Sequence, residues 1–185
     1  DPGLIILSSD HIIENPQEFK ESIIEGLHHA NQNKIVTFGI MPTVPETGYG
    51  YIESLDELSR EKKSSPIKKF IEKPAEETAN KLIKDKKYTW NSGIFLFRAK
   101  TIINEIKILN PEIYNACAKT LSNSVNDLDF QRLDAKSFED CPNISIDNAV
   151  MENTNKGIVL PLDTDWRDIG SWKSLRDLEE KNEDN

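Results

Sequence analysis

Residues 67–97 constrain the fold more than any other stretch, because they predict a strand, a helix and a second strand in close succession. The first strand is Ile67–Ile71, and Pro74 prepares a helix predicted from Glu76 to Lys87. Polar residues then lead into the apolar strand Ile94–Phe97. Strand–helix–strand units of this kind build α/β sheets, so this stretch favours the α/β fold class.

A second unit of the same kind begins the chain. The continuous apolar run Leu4–Leu7 predicts a strand that is covered on both faces. Asn15 and Pro16 predict the start of a helix, and Ile35–Ile40 predicts the next strand. We therefore expect an incomplete Rossmann-like fold, with a mixed, mainly parallel sheet flanked by helices. A buried first strand needs neighbours, so we expect residues 1–185 to be one partial domain of a longer chain.

Composition excludes several classes of function. The chain has 185 residues and a net charge of −9, and no basic stripe with interleaved aromatic residues occurs, which argues against nucleic acid and anionic membranes as partners. The longest apolar runs have only four residues, so no membrane span is predicted. Two cysteines form neither a disulfide framework nor a metal motif, and we expect free thiols and a cytoplasmic location.

Two aspartates stand where predicted strands end, far apart along the chain. Asp10 follows the first strand, and Asp168 follows the last. Ligands of open α/β sheets bind beyond the carboxyl ends of the strands, so these carboxylates are candidates for one site. A pair of hard oxygen ligands suits Mg²⁺. A helix cap or a turn explains either aspartate better when it is taken alone, and only their joint placement favours a metal site.

Glu72, Lys73 and Asn91 supply an acceptor, a cation and an amide, which are the groups that bind a sugar phosphate. The alternative is a turn followed by a strand entry, with no ligand. Gly48 and Gly50 allow the backbone to approach a ligand closely. They form neither a dinucleotide-binding fingerprint nor a phosphate-binding loop of the Walker type.

Six blocks of sequence resemble one known family. They are Ser9–Ile12, Glu46–Ile52, Phe70–Pro74, Trp90–Phe95, Ser145–Glu152 and Trp166–Trp172. In this order they are similar to the later part of sugar-nucleotide pyrophosphorylases of the mannose-1-phosphate guanylyltransferase type, over nearly the whole chain. The resemblance implies a nucleotidyltransferase fold and a reaction in which mannose 1-phosphate attacks the α-phosphorus of GTP, giving GDP-mannose and pyrophosphate.

The resemblance also implies roles for individual residues. Asp10 and Asp168 would hold Mg²⁺, and together with Lys73 they would be the catalytic residues. Glu72 would be a buried carboxylate that distinguishes sugar epimers through its hydrogen bonds. Substrate contacts are implied for Gly48, Glu72, Lys73, Asn91, Asp147 and Glu152.

The chain departs from the family pattern at three positions, and alternatives stay open. Asn148, Asn153 and Asp165 stand where the family usually has Tyr, Lys and Gly, and the lost cation at 153 puts phosphate handling there in doubt. The family's glycine-rich nucleotide loop is not in this sequence, so we expect most of the GTP site to be missing and the chain to be inactive alone. The alternatives are a glucose 1-phosphate enzyme that uses UTP or dTTP, a non-catalytic regulatory paralogue, and a packing domain without a ligand. Oligomeric state is left open, a homo-oligomer included.

Overall fold

The computed structural model describes residues 1–59, 64–170 and 176. Its strands are β1 (Gly3–Ile6), β2 (His11–Ile13), β3 (Ile35–Ile40), β4 (Tyr51–Ser54), β5 (Ser65–Ile71), β6 (Tyr88–Arg98), β7 (Val125–Asp127), β8 (Phe130–Arg132), β9 (Gly157–Pro161) and β10 (Trp166–Asp168). Its helices are α1 (Pro16–Ala30), α2 (Glu76–Leu82), α3 (Ala99–Leu109), α4 (Pro111–Ser122), α5 (Ala135–Glu139) and a π-helical turn, Asp147–Met151. Within these residues, every helix is too short or too polar to cross a lipid bilayer.

Six strands form the main sheet in the order β1-β6-β3-β9-β5-β4, and β4 also pairs with the start of β6. β1, β3, β4 and β9 share one direction, while β5 and β6 run the opposite way. The predicted mixed α/β fold is confirmed, but the pairing is less parallel than predicted. Because β6 lies between β1 and β3, the two ends of the first strand–helix–strand unit are not neighbours. Within the described sheet, only β3 and β9 pair in parallel.

Helices cover both faces of this sheet. β3 is buried along its whole length, and its side chains alternate between two hydrophobic cores. Val36 and Phe38 face the core that α1 covers, whereas Ile35 faces the core shared with α3 and the π-helical turn. Each large side chain buried in this way stabilises the fold by roughly 1.5–3 kcal/mol. The two cores therefore hold the central strands, and the loops that follow them, in fixed positions.

The start of α1 is confirmed in detail, since the side chain of Asn15 accepts a hydrogen bond from the backbone N–H of Glu18 at 3.3 Å.

The first strand differs from its prediction. Leu4 and Ile6 are 37% and 45% exposed, because β1 is the edge strand of the described sheet and pairs only with β6 there. An apolar run therefore forms a partly exposed edge and not a strand covered on both faces.

Other predicted helices have different outcomes. The helix predicted from Glu76 to Lys87 ends at Leu82, because residues 83–87 turn and the chain joins the sheet at Tyr88, opposite Glu53. The polar sequence of residues 122–142 predicts short helices, and the structure shows one, α5, preceded by a hairpin of β7 and β8 that was not predicted. The sequence also predicts a helix from Ser171 that would contain Trp172, and this stretch lies outside the described residues except for residue 176, which is helical.

Candidate functional site

Asp10 and Asp168 meet, although 157 residues separate them in the sequence. β2 and β10 pair antiparallel, with Asp168 opposite His11, and the backbone N–H of Ile169 donates to the carbonyl of Asp10 at 2.9 Å. One carboxylate oxygen of each aspartate and one ring nitrogen of His11 all lie within 4.8 Å of one another. Strand pairing therefore brings two carboxylates to one point.

These residues fit a magnesium ion. Both aspartates offer hard oxygen donors, and Mg²⁺ is commonly bound by one or two carboxylates, with water and phosphate oxygens completing its shell. Gly170 keeps room beside them, since a Cβ at this position would lie 2.9 Å from Oδ1 of Asp168 and 3.7 Å from Oδ2 of Asp10. The backbone N–H of Gly170 also donates to Oδ1 of Asp168 at 2.7 Å, which orients that carboxylate.

Asn91 is the centre of a second polar cluster. Its Nδ2 donates to Oδ1 of Asp147 at 2.9 Å, and its Oδ1 accepts from the Thr37 hydroxyl and the Gly93 N–H, each at 3.2 Å. Its backbone N–H donates to the carbonyl of Gly50 at 2.8 Å. The side-chain amide is thereby fixed with its Nδ2 toward Asp147.

Glu72 and Lys73 lie beside this cluster, at the end of β5. A Cβ on Gly50 would lie 2.9 Å from Oε2 of Glu72 and 3.7 Å from Cβ of Asn91, so glycine at 50 allows this approach. Nζ of Lys73 lies 3.7 Å from Oε1 of Glu72. Lys73 has a φ of 38°, in the left-handed region that costs a non-glycine residue on the order of 1–2 kcal/mol. The expectation of a buried Glu72 is wrong, because its side chain is 57% exposed at the end of a strand.

The electrostatics of this second cluster are unfavourable for a charged Asp147. Burial raises the pKa of the Asp147 carboxyl above its ordinary value of 3.8, and the nearby carboxylates of Glu72 and Glu152 raise it further. The hydrogen bond from Asn91 opposes these effects without cancelling them. A cation or a hydroxyl donor brought to this place would therefore be favoured.

The remaining predicted residues are held by close neighbours. The amide of Asn148 donates to Oε1 of Glu152 at 2.8 Å, so the position that departs from the family pattern orients a carboxylate of the cluster. Asn153 donates to the carbonyl of Asn148 at 3.0 Å. The N–H of Gly48 donates to Oε1 of Glu46 at 2.9 Å, which closes the turn that carries Tyr49.

Aromatic rings connect the aspartate pair with the Asn91 cluster. Tyr49 makes edge contacts with Trp90 and Trp166, with ring centroids 5.4 and 5.3 Å apart. Burial raises the pKa of the Tyr49 hydroxyl, and the charge of Asp168 raises it further. Tyr49 thus contacts Trp166, the neighbour of His11, and also Trp90, the residue that precedes Asn91.

The chain after β1 also passes close to the second cluster, since a Cβ on Gly93 would lie 3.9 Å from Oγ of Ser8. A cavity of about 830 Å³, lined in part by Trp90, Trp166 and Met41, does not include the predicted binding residues.

Sequence reasoning missed Thr37, Tyr49 and the pairing of His11 with Trp166. Thr37 could have been found, because it is the polar residue in the otherwise apolar run Ile35–Ile40 and is fully buried. Tyr49 stood inside the Glu46–Ile52 block without a role of its own. The contact between His11 and Trp166 depends on the register of two strands that are far apart in sequence, which no local pattern indicates.

The chain is similar to several known proteins. A family model described as nucleotidyl transferase matches residues 1–185. The chain is 45% identical over 181 residues to a mannose-1-phosphate guanylyltransferase of Salmonella typhimurium, covering 98% of this chain and 37% of that protein. The chain thus spans little more than a third of this curated relative.

Two solved structures are also similar. The first is described as a mannose-6-phosphate isomerase from Helicobacter pylori, with a TM-score of 0.80 and 32% identity over 90% of this chain and 64% of that one. The second is described as a mannose-1-phosphate geranyltransferase from Thermus thermophilus, with a TM-score of 0.78 and 30% identity over 94% of this chain and 48% of that one. Both similarities therefore extend over nearly all of this chain.

Proposed function

The chain belongs to the nucleotidyl transferase family, and from this premise we propose that it forms the sugar-phosphate part of an enzyme that makes GDP-mannose and pyrophosphate from GTP and mannose 1-phosphate. The observation that carries the proposal is that the carboxylates of Asp10 and Asp168, which are far apart in the sequence, come together at one point. The relative named mannose-1-phosphate guanylyltransferase supports the choice of sugar.

In this reaction an oxygen of mannose 1-phosphate forms a bond to the α-phosphorus of GTP, while the bond to the pyrophosphate leaving group breaks. Such transfers depend on positioning and on neutralising phosphate charge more than on covalent help from the protein. Asp10 and Asp168 are the side chains that would hold Mg²⁺, which would supply charge neutralisation for the phosphate oxygens.

The other residues would bind the sugar phosphate. The ammonium of Lys73 would contact the phosphate, and Glu72 with Asn91 would exchange hydrogen bonds with sugar hydroxyls near the backbone of Gly48. Asp147 and Glu152 would accept from hydroxyls or pair with a cation, which would compensate the burial and the carboxylate repulsion that raise the pKa of Asp147. A wrong epimer would leave such acceptors unpaired and would bind less well.

We also propose that residues 1–185 are a partial nucleotidyltransferase domain and that another segment supplies most of the GTP site. The share of the relatives' length that this chain covers supports this, as do the exposed apolar side chains of the edge strand β1. Turnover would then be absent for this chain and present for a longer form. Free Cys117 and Cys141 are compatible with a reducing, cytoplasmic compartment.

Calorimetric titration of the chain with mannose 1-phosphate, with and without Mg²⁺, tests the proposal. We expect Mg²⁺-dependent binding that weakens at least tenfold, or by about 1.4 kcal/mol, in Lys73→Ala and in Glu72→Ala. Lys69→Ala is the matched control, since Lys69 is an exposed cation on β5, the strand that leads to Glu72 and Lys73, and lies opposite Glu53. Equal losses in all three variants, or tighter binding of glucose 1-phosphate, would contradict the proposal.

A non-catalytic regulatory relative is the second candidate. The observation that favours it is the side chain of Asn153, which bonds to the backbone of Asn148 where the family pattern has a lysine. Such a protein would bind the sugar phosphate without turnover. Assay of the longer form for GDP-mannose formation separates the two, because only the enzyme would release pyrophosphate.

A further inference from the structure

The imidazole of His11 lies between Trp166 and Asp10. Nε1–H of Trp166 donates to Nδ1 of His11 at 3.3 Å, and the two rings meet edge to face with centroids 5.0 Å apart. A nitrogen that accepts a hydrogen bond carries no proton, so the neutral imidazole has its proton on Nε2.

That second nitrogen faces the aspartate pair. Nε2 of His11 lies 4.0 Å from Oδ1 of Asp10, and the Asp10 side chain is 53% exposed, so a small rotation of its carboxylate brings it within hydrogen-bonding distance. An Nε2 that carries a proton can donate to a carboxylate but cannot ligate a metal ion. His11 therefore has a different role from the two aspartates, although all three are close enough to share one ion.

We propose that Trp166 fixes His11 in the Nε2–H tautomer, so that His11 is a positioning residue that orients Asp10 and stays outside the coordination shell. Donors of this kind commonly align a ligating group and strengthen the metal site. The site then offers only oxygen ligands, which favours Mg²⁺ over softer ions that bind imidazole. The orienting role rests on the proposed function, whereas the tautomer does not.

The indole itself is held rigidly. Trp166 is 8% exposed, pairs with Ile13 across β2 and β10, and contacts the ring of Tyr49. Its N–H therefore has one fixed direction, toward His11. The same pairing of β2 and β10 that brings Asp168 to Asp10 also sets the tautomer.

The tautomer can be measured on the whole chain by long-range ¹H–¹⁵N correlation of the imidazoles, without metal or substrate. We expect the Nε2–H form for His11 in the wild-type chain and a mixture with the Nδ1–H form in Trp166→Phe, which keeps an aromatic ring but loses the donor. An Nδ1–H form in the wild type, or an unchanged spectrum in Trp166→Phe, would overturn the proposal.

Two substitutions of His11 test the orienting role. They also keep the proposal testable if Trp166→Phe fails to fold. His11→Gln can place an amide donor near the position of Nε2, whereas His11→Asn keeps an acceptor near Nδ1 and loses the donor toward Asp10. In Mn²⁺ titrations followed by electron paramagnetic resonance, we expect about a tenfold loss of affinity in His11→Asn and less than a threefold loss in His11→Gln.

The reverse order, or a shift of the His11 Nε2 signal that shows direct coordination of the ion, would overturn the positioning role. If the wild-type chain binds no Mn²⁺, the metal site of the proposed function fails and the orienting role fails with it. The tautomer measurement still decides separately whether Trp166 controls His11.

Discussion

Two carboxylates of the described chain, Glu105 and Asp147, are removed from solvent in different ways. Glu105 is 6% exposed, and it accepts hydrogen bonds from the hydroxyl of Thr154 at 2.5 Å and from Nζ of Lys156 at 2.6 Å. Burial alone would raise the pKa of Glu105, but the bonds from Lys156 and Thr154 outweigh it and hold this pKa below its ordinary value. The pKa of Asp147 is raised, because burial and two neighbouring carboxylates outweigh its bond from Asn91.

The opposite pKa shifts indicate that Glu105 is a structural carboxylate and that Asp147 is a candidate functional one. The pairs made by Glu105 satisfy its charge inside the protein, so it ties α3 to the segment that leads into β9. Asp147 is left with a charge that a ligand can satisfy better than the protein does. Sites that keep such groups lower the stability of the fold in exchange for binding.

The largest effect is expected from Lys156→Met, which leaves the carboxylate of Glu105 buried without its cation. Breaking a fully buried pair costs about 3–5 kcal/mol, and we expect about 2 kcal/mol here because the Lys156 side chain is 33% exposed. Urea unfolding measures the change. Lys81→Met is the matched control, since its pair with Glu77 is exposed and should contribute only about 0.3–0.5 kcal/mol. Equal losses of stability in both variants would contradict the structural role of Glu105.

A smaller effect of opposite sign is expected from Asp147→Asn. The new amide can still accept from Asn91, but it carries no charge, so the chain should gain about 1 kcal/mol of stability at pH 7. Because the pKa of Asp147 is higher in the folded than in the unfolded chain, its carboxyl contributes fully to the free energy of unfolding below the unfolded-state pKa. This contribution is lost as the pH rises through the folded-state pKa. The gain should therefore narrow as pH falls toward 3.8. A loss of stability at neutral pH would show that Asp147 is structural, like Glu105.

The smallest effect on stability is expected from Gly50→Ala. The new Cβ would meet Oε2 of Glu72 at 2.9 Å, and this exposed side chain can move away, so the free energy of unfolding should change by less than about 0.5 kcal/mol. Affinity for mannose 1-phosphate should fall about tenfold, or by ~1.4 kcal/mol, because the Glu72 carboxylate is displaced from its place beside residue 50. Gly39→Ala is the contrasting variant, because its new Cβ would clash with the buried Thr89 hydroxyl. This variant should lower the free energy of unfolding. Unchanged affinity in Gly50→Ala would exclude Glu72 from the site.

Local signals in the sequence predicted much of the fold. Asn15 and Glu18 marked the start of α1 because an N-cap is a contact within one turn. The exposure of β1 could not be predicted, since an apolar run does not show whether a strand lies at the edge of its sheet. Likewise, the end of α2 at Leu82 depends on the pairing of Tyr88 with Glu53, a contact across the sheet.

The sequence predicted which residues form the candidate site, but not the burial and charged neighbours of each side chain. Their positions after predicted strands selected Asp10 and Asp168, the family resemblance supported the choice, and strand pairing does bring them together. Their use as metal ligands stays a prediction. The contrast between Asp147 and Glu105 was not visible in the sequence, because it depends on which side chains from distant elements face each carboxylate.

Relaxation of the ³¹P signal of mannose 1-phosphate by Mn²⁺, measured with the whole chain, tests the central claim most directly. The claim is that a cation held by Asp10 and Asp168 lies beside the sugar phosphate bound near Glu72 and Asn91. We expect strong Mn²⁺-dependent relaxation that is lost in Asp168→Asn and in Glu72→Ala. Relaxation no faster than in the absence of the chain, or equal in the wild type and both variants, would contradict the claim.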